Sequence, residues 1–278
     1  MTSRCTTTAL LFLFLLLIHK AFGGFEQKDL GARAAGLGGS FVGLSDDVWA
    51  IAFNPGGLSQ LKRREVSFFY SPQPFGLSEL STGAVAVALP INVGVIGAAA
   101  RKYGFDLYRE VSGTVSYSNT LSSVGVGINL NYHSVSISKY GSAGTIGIDV
   151  GIIIKIFDQL HWGMTATNIN SPTIGVSNEK LPQSFSAGLA YVPLKNLTFA
   201  LDYHKQLKFD PSPRFGFEYW IVEVLAIRSG VSDAPSQYAG GAGIRYSMFQ
   251  IDYAFITHQE LGGTHQVSIS LRWGGSSE

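Results

Sequence analysis

From Glu65 to Trp273 apolar residues recur at every second position, and almost no stretch repeats at the helical period. That period belongs to β-strands with two unlike faces. Val124, Val126, Ile128, Leu130 and Tyr132 alternate with Gly125, Gly127, Asn129, Asn131 and His133. Ile146, Ile148, Val150, Ile152, Ile154 and Ile156 stand against Thr145, Gly147, Asp149, Gly151 and Lys155, and Val267, Ile269, Leu271 and Trp273 against Ser268, Ser270 and Arg272. Residues 84–100 come nearest to a membrane-spanning helix, but Pro90 and Asn92 interrupt them and Val85, Val87 and Leu89 alternate with alanines. They read as a hairpin.

To within a few residues, the alternation places strands at 65–70, 80–89, 92–101, 109–118, 121–134, 145–156, 160–168, 184–192, 196–205, 213–221, 223–231, 238–246, 248–256 and 265–273. The count is about 14. Tight turns at Pro90-Ile91, Asn119-Thr120, 157–159, 193–195, Val222 and Ser247 alternate with longer polar loops, the longest running from Ile169 to Gln183. An even strand number with short turns at one end and longer loops at the other is the pattern of an outer-membrane barrel. Both chain ends then lie on the periplasmic side. A soluble β-sandwich or lipocalin-like barrel also alternates, but it turns its apolar face into a closed core, and a small barrel needs only about eight strands. The expected fold is all-β: a transmembrane antiparallel β-barrel over 63–273, with a short C-terminal tail at 274–278.

If the apolar face meets lipid, the lumen is lined by Asn129, Asn131, Asp149, Lys155, Asp202, His204, Arg214, Glu218, Arg228, Arg245, Asp252 and Arg272. Glu218, Arg228, Arg245, Asp252 and Arg272 are charges of both signs on neighbouring C-terminal strands. They can pair across the interior or against whatever fills it, and ion-pair networks of this kind are often structural.

Residues 1–23 combine Arg4, an apolar run from Ala9 to Ile18 and Ala21-Phe22-Gly23 ahead of a cleavage point, which marks a signal peptide too short to cross a bilayer as a helix. The only cysteine, Cys5, would leave with it, so disulfide and thiol chemistry drop out. A net charge of +1 and 14% charged residues give no case for nucleic acid. No Gly-x-Ser-x-Gly elbow, His-Glu-x-x-His or Cys/His cluster occurs, so no enzyme, metal or cofactor reading has a motif to rest on. His161 and His204 fall in strands as inward polar residues.

Residues 24–62, ahead of the strands, follow another pattern. Gly31 to Leu58 reads GARAAGLGGSFVGLSDDVWAIAFNPGGL and holds seven glycines. Gly36, Gly38 and Gly39 suit a backbone that turns with positive φ or lies directly on another backbone. The dinucleotide fingerprint fails, because Phe41 stands where its third glycine belongs and polar residues precede the run instead of a strand. Asn54 is kept out of the helical region by Pro55, so a fixed turn ends the segment.

This segment resembles the N-terminal hatch of FadL-type outer-membrane transport proteins, in particular the smaller PorV/PorQ group. The matching residues are Gly31 to Gly39 with Arg33, the pair Asp46-Asp47, and Asn54 to Leu58 with Pro55, Gly56 standing where that group has alanine. Further matches follow in order: Pro172, Leu181-Pro182, Gly188 to Tyr191, Asp202-Tyr203, Glu218 to Trp220, Asp252 to Phe255, Leu261-Gly262 and Thr264-His265. One departure is at the end, where Trp273 is followed by Gly-Gly-Ser-Ser-Glu in place of a terminal aromatic residue. The resemblance implies a hatch inside the barrel of an outer-membrane protein in a Gram-negative-type bacterium. It also implies passive passage of fatty acids or aromatic hydrocarbons, with a kink in the third strand opening a lateral gap to lipid. Gly94 and Gly97 suit such a gap, since glycine in a strand permits a bend, and equally they leave room for the hatch. PorV-like members imply another role, holding exported proteins at the cell surface for a secretion machine. The partners so implied are outer-membrane lipids together with a hydrophobic small molecule or secretion-system proteins.

Overall fold

The computed structural model describes residues 24–25 and 29–274; the expected signal segment 1–23 and tail residues 275–278 lie outside the described residues. Fourteen strands close into one barrel: β1 (Arg64–Ser71), β2 (Thr82–Ile91), β3 (Gly94–Gly104), β4 (Tyr108–Leu121), β5 (Val124–Ile137), β6 (Gly141–Phe157), β7 (Leu160–Thr167), β10 (Ser184–Leu194), β11 (Leu197–Gln206), β12 (Ser212–Val222), β13 (Leu225–Ser232), β14 (Gln237–Tyr246), β15 (Phe249–His258) and β16 (Gly262–Trp273). The remaining two, β8 (Thr173–Ile174) and β9 (Glu179–Lys180), pair with each other in the connection after β7. Every wall strand is antiparallel to its neighbours in the chain, and β16 returns to β1, Arg64 opposite Trp273 and Tyr70 opposite Val267. Closure leaves no strand edge to template further pairing.

The two faces of the wall fall as the alternation requires. Ile128, Leu130 and Tyr132 point outward at 48%, 53% and 55% exposure, while Asn129 between the first two is 2% exposed. Val115, Phe249, Ile251 and Ile269 continue the outer apolar surface, which is far larger than water tolerates on a monomer. Inward positions carry Ser, Asn and charged residues or the small side chain of alanine, with Ala86, Ala88, Ala190, Ala200, Ala226 and Ala254 all buried.

Six connections are two-residue turns, at 92–93, 122–123, 158–159, 195–196, 223–224 and 247–248, all at the end where β1 starts and β16 stops. This is the turn end of the barrel, and the other is the loop end. The turns lie one to three residues beyond several expected positions. Pro90 and Ile91 belong to β2, opposite Val95 and Gly94, and Asn119 and Thr120 remain paired in β4. A proline next to the end of a strand gives up a single donor, so it does not stop pairing there.

One expectation is corrected by the path of the chain. The C-terminal strand does finish at the turn end, but the N-terminal residues lie at the loop end. The Phe25 amide donates to Glu110 Oε1 at 3.0 Å, and its ring stands 5.0 Å from that of His133 and packs with Ile174 and Leu181. From there the chain runs down through the lumen and leaves at the turn end through the exposed residues Lys62 and Arg63. Turn and loop lengths report the strands alone and say nothing of a segment threaded between them.

A lumen crossed by its own N-terminal segment

Residues 29–61 lie inside the barrel and consist of two short helices, α1 (Ala32–Gly36) and α2 (Ala50–Phe53), followed by a 3-10 turn at Pro55–Gln60. Local chemistry fixes each piece. Gly31 has φ 94°, a conformation that favours glycine, and a Cβ there would lie 2.7 Å from the Trp49 ring. Asp47 Oδ1 accepts the Trp49 amide at 2.9 Å as α2 begins. Asn54 is extended at φ −154°, as the following proline demands, and its Oδ1 accepts the Gly56 amide at 3.1 Å. The core of this segment is apolar, with Leu37, Phe41, Val48, Trp49 and Leu58 all at 2% exposure or less.

The C-terminal strands hold the segment through charge. The Arg33 guanidinium binds Glu218 with two bonds, Nε to Oε2 at 2.9 Å and Nη2 to Oε1 at 2.8 Å, and also reaches Asp46 and Asp47. Glu218 receives Arg228 Nε at 2.6 Å, and Arg228 Nη1 meets Asp252 at 2.8 Å. Burial opposes the charge on Arg33, but Asp46 and Glu218 outweigh it and hold the guanidinium well above its ordinary pKa. Further round the wall, Asp202 Oδ2 accepts the Phe41 and Val42 amides at 2.7 Å each. Arg214 donates to Asp29 at 3.0 Å and to the Gly39 carbonyl at 3.2 Å, and Ser268 takes the Ala32 amide at 2.8 Å.

The N-terminal strands hold it through backbone contact. Pro55 and Gly56 lie on Gly127 of β5 and Gly151 of β6, which face each other in the ladder. A Cβ on Gly56 would stand 2.8 Å from the Gly151 carbonyl oxygen. Asn54 Nδ2 donates to the Ile152 carbonyl at 2.8 Å, and Asn129 Nδ2 to the Ile51 carbonyl at 2.8 Å. Similar seats occur where Gly43 meets Gly188, and where Leu37 and Gly38, at φ 66°, rest on Gly216 and Gly230; Gly36 lies against Gly241 and Arg228.

The expected lumen residues therefore meet in most cases, with two corrections. Lys155 has inward parity but stands exposed at the turn-end rim, paired with Asp158 at 2.8 Å. Arg245 joins no charge network; its guanidinium lies 4.2 Å from the Trp220 ring and donates to the Glu223 carbonyl. Both side chains sit below the segment that fills the barrel, where water competes for them. His204 hydrogen-bonds Ser186 at 2.8 Å, and Arg272 pairs at 3.1 Å with Glu65, which the sequence reading passed over. It also passed over Arg101 with Glu110, paired at 3.1 Å, and Ile153, an inward isoleucine at 4% exposure. Inward parity was the available signal for the two glutamates, Glu65 directly opposite Arg272 and Glu110 diagonal to Arg101.

The wall has no gap at Gly94 and Gly97. Strand β3 pairs with β2 from Tyr103 to Gly94 and with β4 from Gly104 to Val95, in unbroken register on both sides. A Cβ at Gly97 would sit 3.1 Å from Leu58 and 3.3 Å from Ile51, so this glycine makes room for the inner segment. Gly94 simply follows the turn, at φ 133°.

Cavities lie on both sides of the segment. Toward the loop end lies one of about 130 Å³, lined by Phe25, Leu30, Ile51 and Ala52 of the N-terminal segment, by Ala99 and Ala100 of β3, and by polar wall residues from Ser112 to Gln206. Toward the turn end a wider vestibule of about 990 Å³ is bounded by Arg33, Asp46, Arg63, Lys195, Arg245 and Arg272.

The closed 14-strand barrel shares its fold with solved FadL-type structures. The backbone superposes on the Ralstonia pickettii toluene transporter TbuX with a TM-score of 0.65 at 11% identity, covering 90% of this chain and 100% of that one. It matches the P. putida toluene transporter TodX (TM-score 0.63, 13% identity, 90% and 100% covered) and a Pseudomonas aeruginosa FadL homologue (0.63, 12%, 90% and 99%). Comparison of the sequence with protein-family models and with curated proteins finds no match.

Proposed function

We propose that this protein sits in a bacterial outer membrane and lets small hydrophobic molecules through its lumen, with residues 29–61 acting as the gate. The observation that carries this is the loop-end cavity, whose apolar side is made by the inner segment itself through Leu30, Ile51 and Ala52. A space of about this size holds one aromatic ring. Two structural neighbours of the same fold are named as toluene transporters, which supports the reading. The outer apolar belt suits acyl chains, and the short turns then face the periplasm. With β3 fully paired, passage runs along the axis, from the cavity past the segment to the vestibule, and needs the segment to shift.

A second role, holding exported proteins at the cell surface, draws on the loop tips Tyr140 and Val176, at 88% and 103% exposure. Uptake separates the two. Proteoliposomes bearing the protein should accumulate labelled toluene faster than empty ones, and deleting residues 31–58 should raise single-channel conductance. Uptake equal to empty liposomes would reject transport, and cross-linking of exported proteins to Tyr140 and Val176 would then support the second role.

A further inference from the structure

The loop-end cavity has two chemically different sides, and its polar side carries a carboxylate without a cation. Other inward acids of the wall are neutralised: Glu65 by Arg272, Glu110 by Arg101, Glu218 by Arg33 and Arg228, and Asp252 by Arg228. Asp202 takes two backbone amides of the inner segment. Asp149 lines the cavity and receives only neutral donors: the Asn168 amide at 2.9 Å on Oδ1, and Asn131 at 2.6 Å and Asn129 at 3.3 Å on Oδ2. Among the described residues it makes no ion pair. A carboxylate offers about four acceptor positions, so three donors leave one open.

The other titratable groups facing the cavity do not offset this charge. Arg101 is engaged by Glu110, which also accepts from the Tyr108 hydroxyl at 2.9 Å. His133 shares its Nδ1 with Ser112 at 2.9 Å and lies edge-on to Phe25. Among the described residues that line the pocket, Arg101 is cancelled by Glu110, and Asp149 leaves one negative charge in excess. Phe25, Leu30, Ile51 and Ala99 line the same cavity, a surface suited to a hydrocarbon ring and, at Phe25, to a nearby cation.

We infer that this cavity selects small aromatic molecules bearing a cationic amine, the ring against the inner segment and the ammonium on Asp149. Neutral rings with a hydroxyl come next, then bare hydrocarbons, and carboxylates last. The inference rests on the cavity being the ligand site of the proposed transporter. A charge-assisted hydrogen bond in a partly desolvated site is worth at least about tenfold in affinity over a contact that lacks it.

The test is calorimetric titration of the full-length protein in nanodiscs with benzylamine, benzyl alcohol, toluene and benzoate at neutral pH, on the wild type and on Asp149→Asn. Benzylamine should bind at least about tenfold more tightly than toluene, and the variant should bring the two within about twofold. Equal binding of benzylamine and toluene by the wild type overturns the inference and leaves the transport reading standing. Tightest binding of benzoate overturns it in favour of Arg101. Binding of none of the four overturns the ligand site and the inference together. Should Asp149→Asn fail to assemble, the order of the four compounds on the wild type decides.

Discussion

Both halves of the wall seat the inner segment on glycines, but only the C-terminal half adds a network of charges. On strands β12 to β15 the grip is electrostatic: Arg33 enters a chain of alternating charges running through Glu218 and Arg228 to Asp252. On β5 and β6 it is steric and neutral, with Pro55 and Gly56 lying on paired glycines and Asn54 tied to a wall carbonyl. A charged side chain reaches across space and tolerates small shifts, but leaves a large penalty if its partner goes. A backbone seat needs no charge and admits no added atom. The segment is therefore fitted closely on both sides and anchored by charge on one, and a gate that moves is expected to release the uncharged side before the other.

The largest expected effect tests the charged side. Glu218→Gln leaves Arg33 and Arg228 facing each other without the shared carboxylate and should cost about 3–5 kcal/mol, read from urea unfolding in liposomes. A loss below about 1 kcal/mol would show that Asp46, Asp47 and Asp252 suffice. The neutral side comes next. Gly151→Val should cost about 1–3 kcal/mol by overpacking, because the atoms it meets are Asn54, Pro55 and the Gly56 backbone. If this side seals the lumen, planar-bilayer conductance of the valine variant should rise; unchanged conductance would place the seal on the charged side alone. Asn54→Ala removes the bonds to Ile152, Val42 and Gly56. It strands the buried Val42 carbonyl, for about 1–3 kcal/mol, and trypsin cutting after Lys62 and Arg63 should quicken. The smallest effect calibrates the rest: Arg245→Ala, losing only the stack on Trp220, should cost no more than about 1 kcal/mol. A loss as large as that of Glu218→Gln would mean that the charged grip extends to the rim.

Legibility of the site followed the same division. Glu218, Arg228 and Asp252 were readable, because a charge on the inward face of a strand must find a partner in a closed barrel, whereas Arg33 and Asp46 stood out only through the resemblance of their segment. Glu65 and Glu110 escaped because each was read singly, its arginine lying on another strand. Lys155 and Arg245 show the converse limit. Parity gives direction but not depth, and both lie where the barrel has opened to water. Gly127 and Gly151 stood in the polar half of the pattern as small residues, without any sign that they, like Gly188, Gly216 and Gly230, receive the backbone of the inner segment. The same ambiguity left Gly97 readable either as a bend or as room for the inner segment, and it is a recess for Leu58 and Ile51.

What the sequence determined by itself is whatever depends on neighbours along one strand: the two faces, the strand number, the turns to within a few residues, and which side meets lipid. Period two is a local property of an extended chain and survives without knowledge of partners. The bend at Asn54 was equally local, since Pro55 imposes it on the residue before. Only the tertiary structure decided the direction in which the N-terminal segment threads the lumen, the unbroken pairing of β3, the cavity between Phe25 and Asp149, and the split between a charged and a neutral grip. These join residues as far apart as 236 positions, Ala32 with Ser268 among them. Barrel closure sets such meetings through register accumulated around the whole wall, and no stretch of sequence carries that sum.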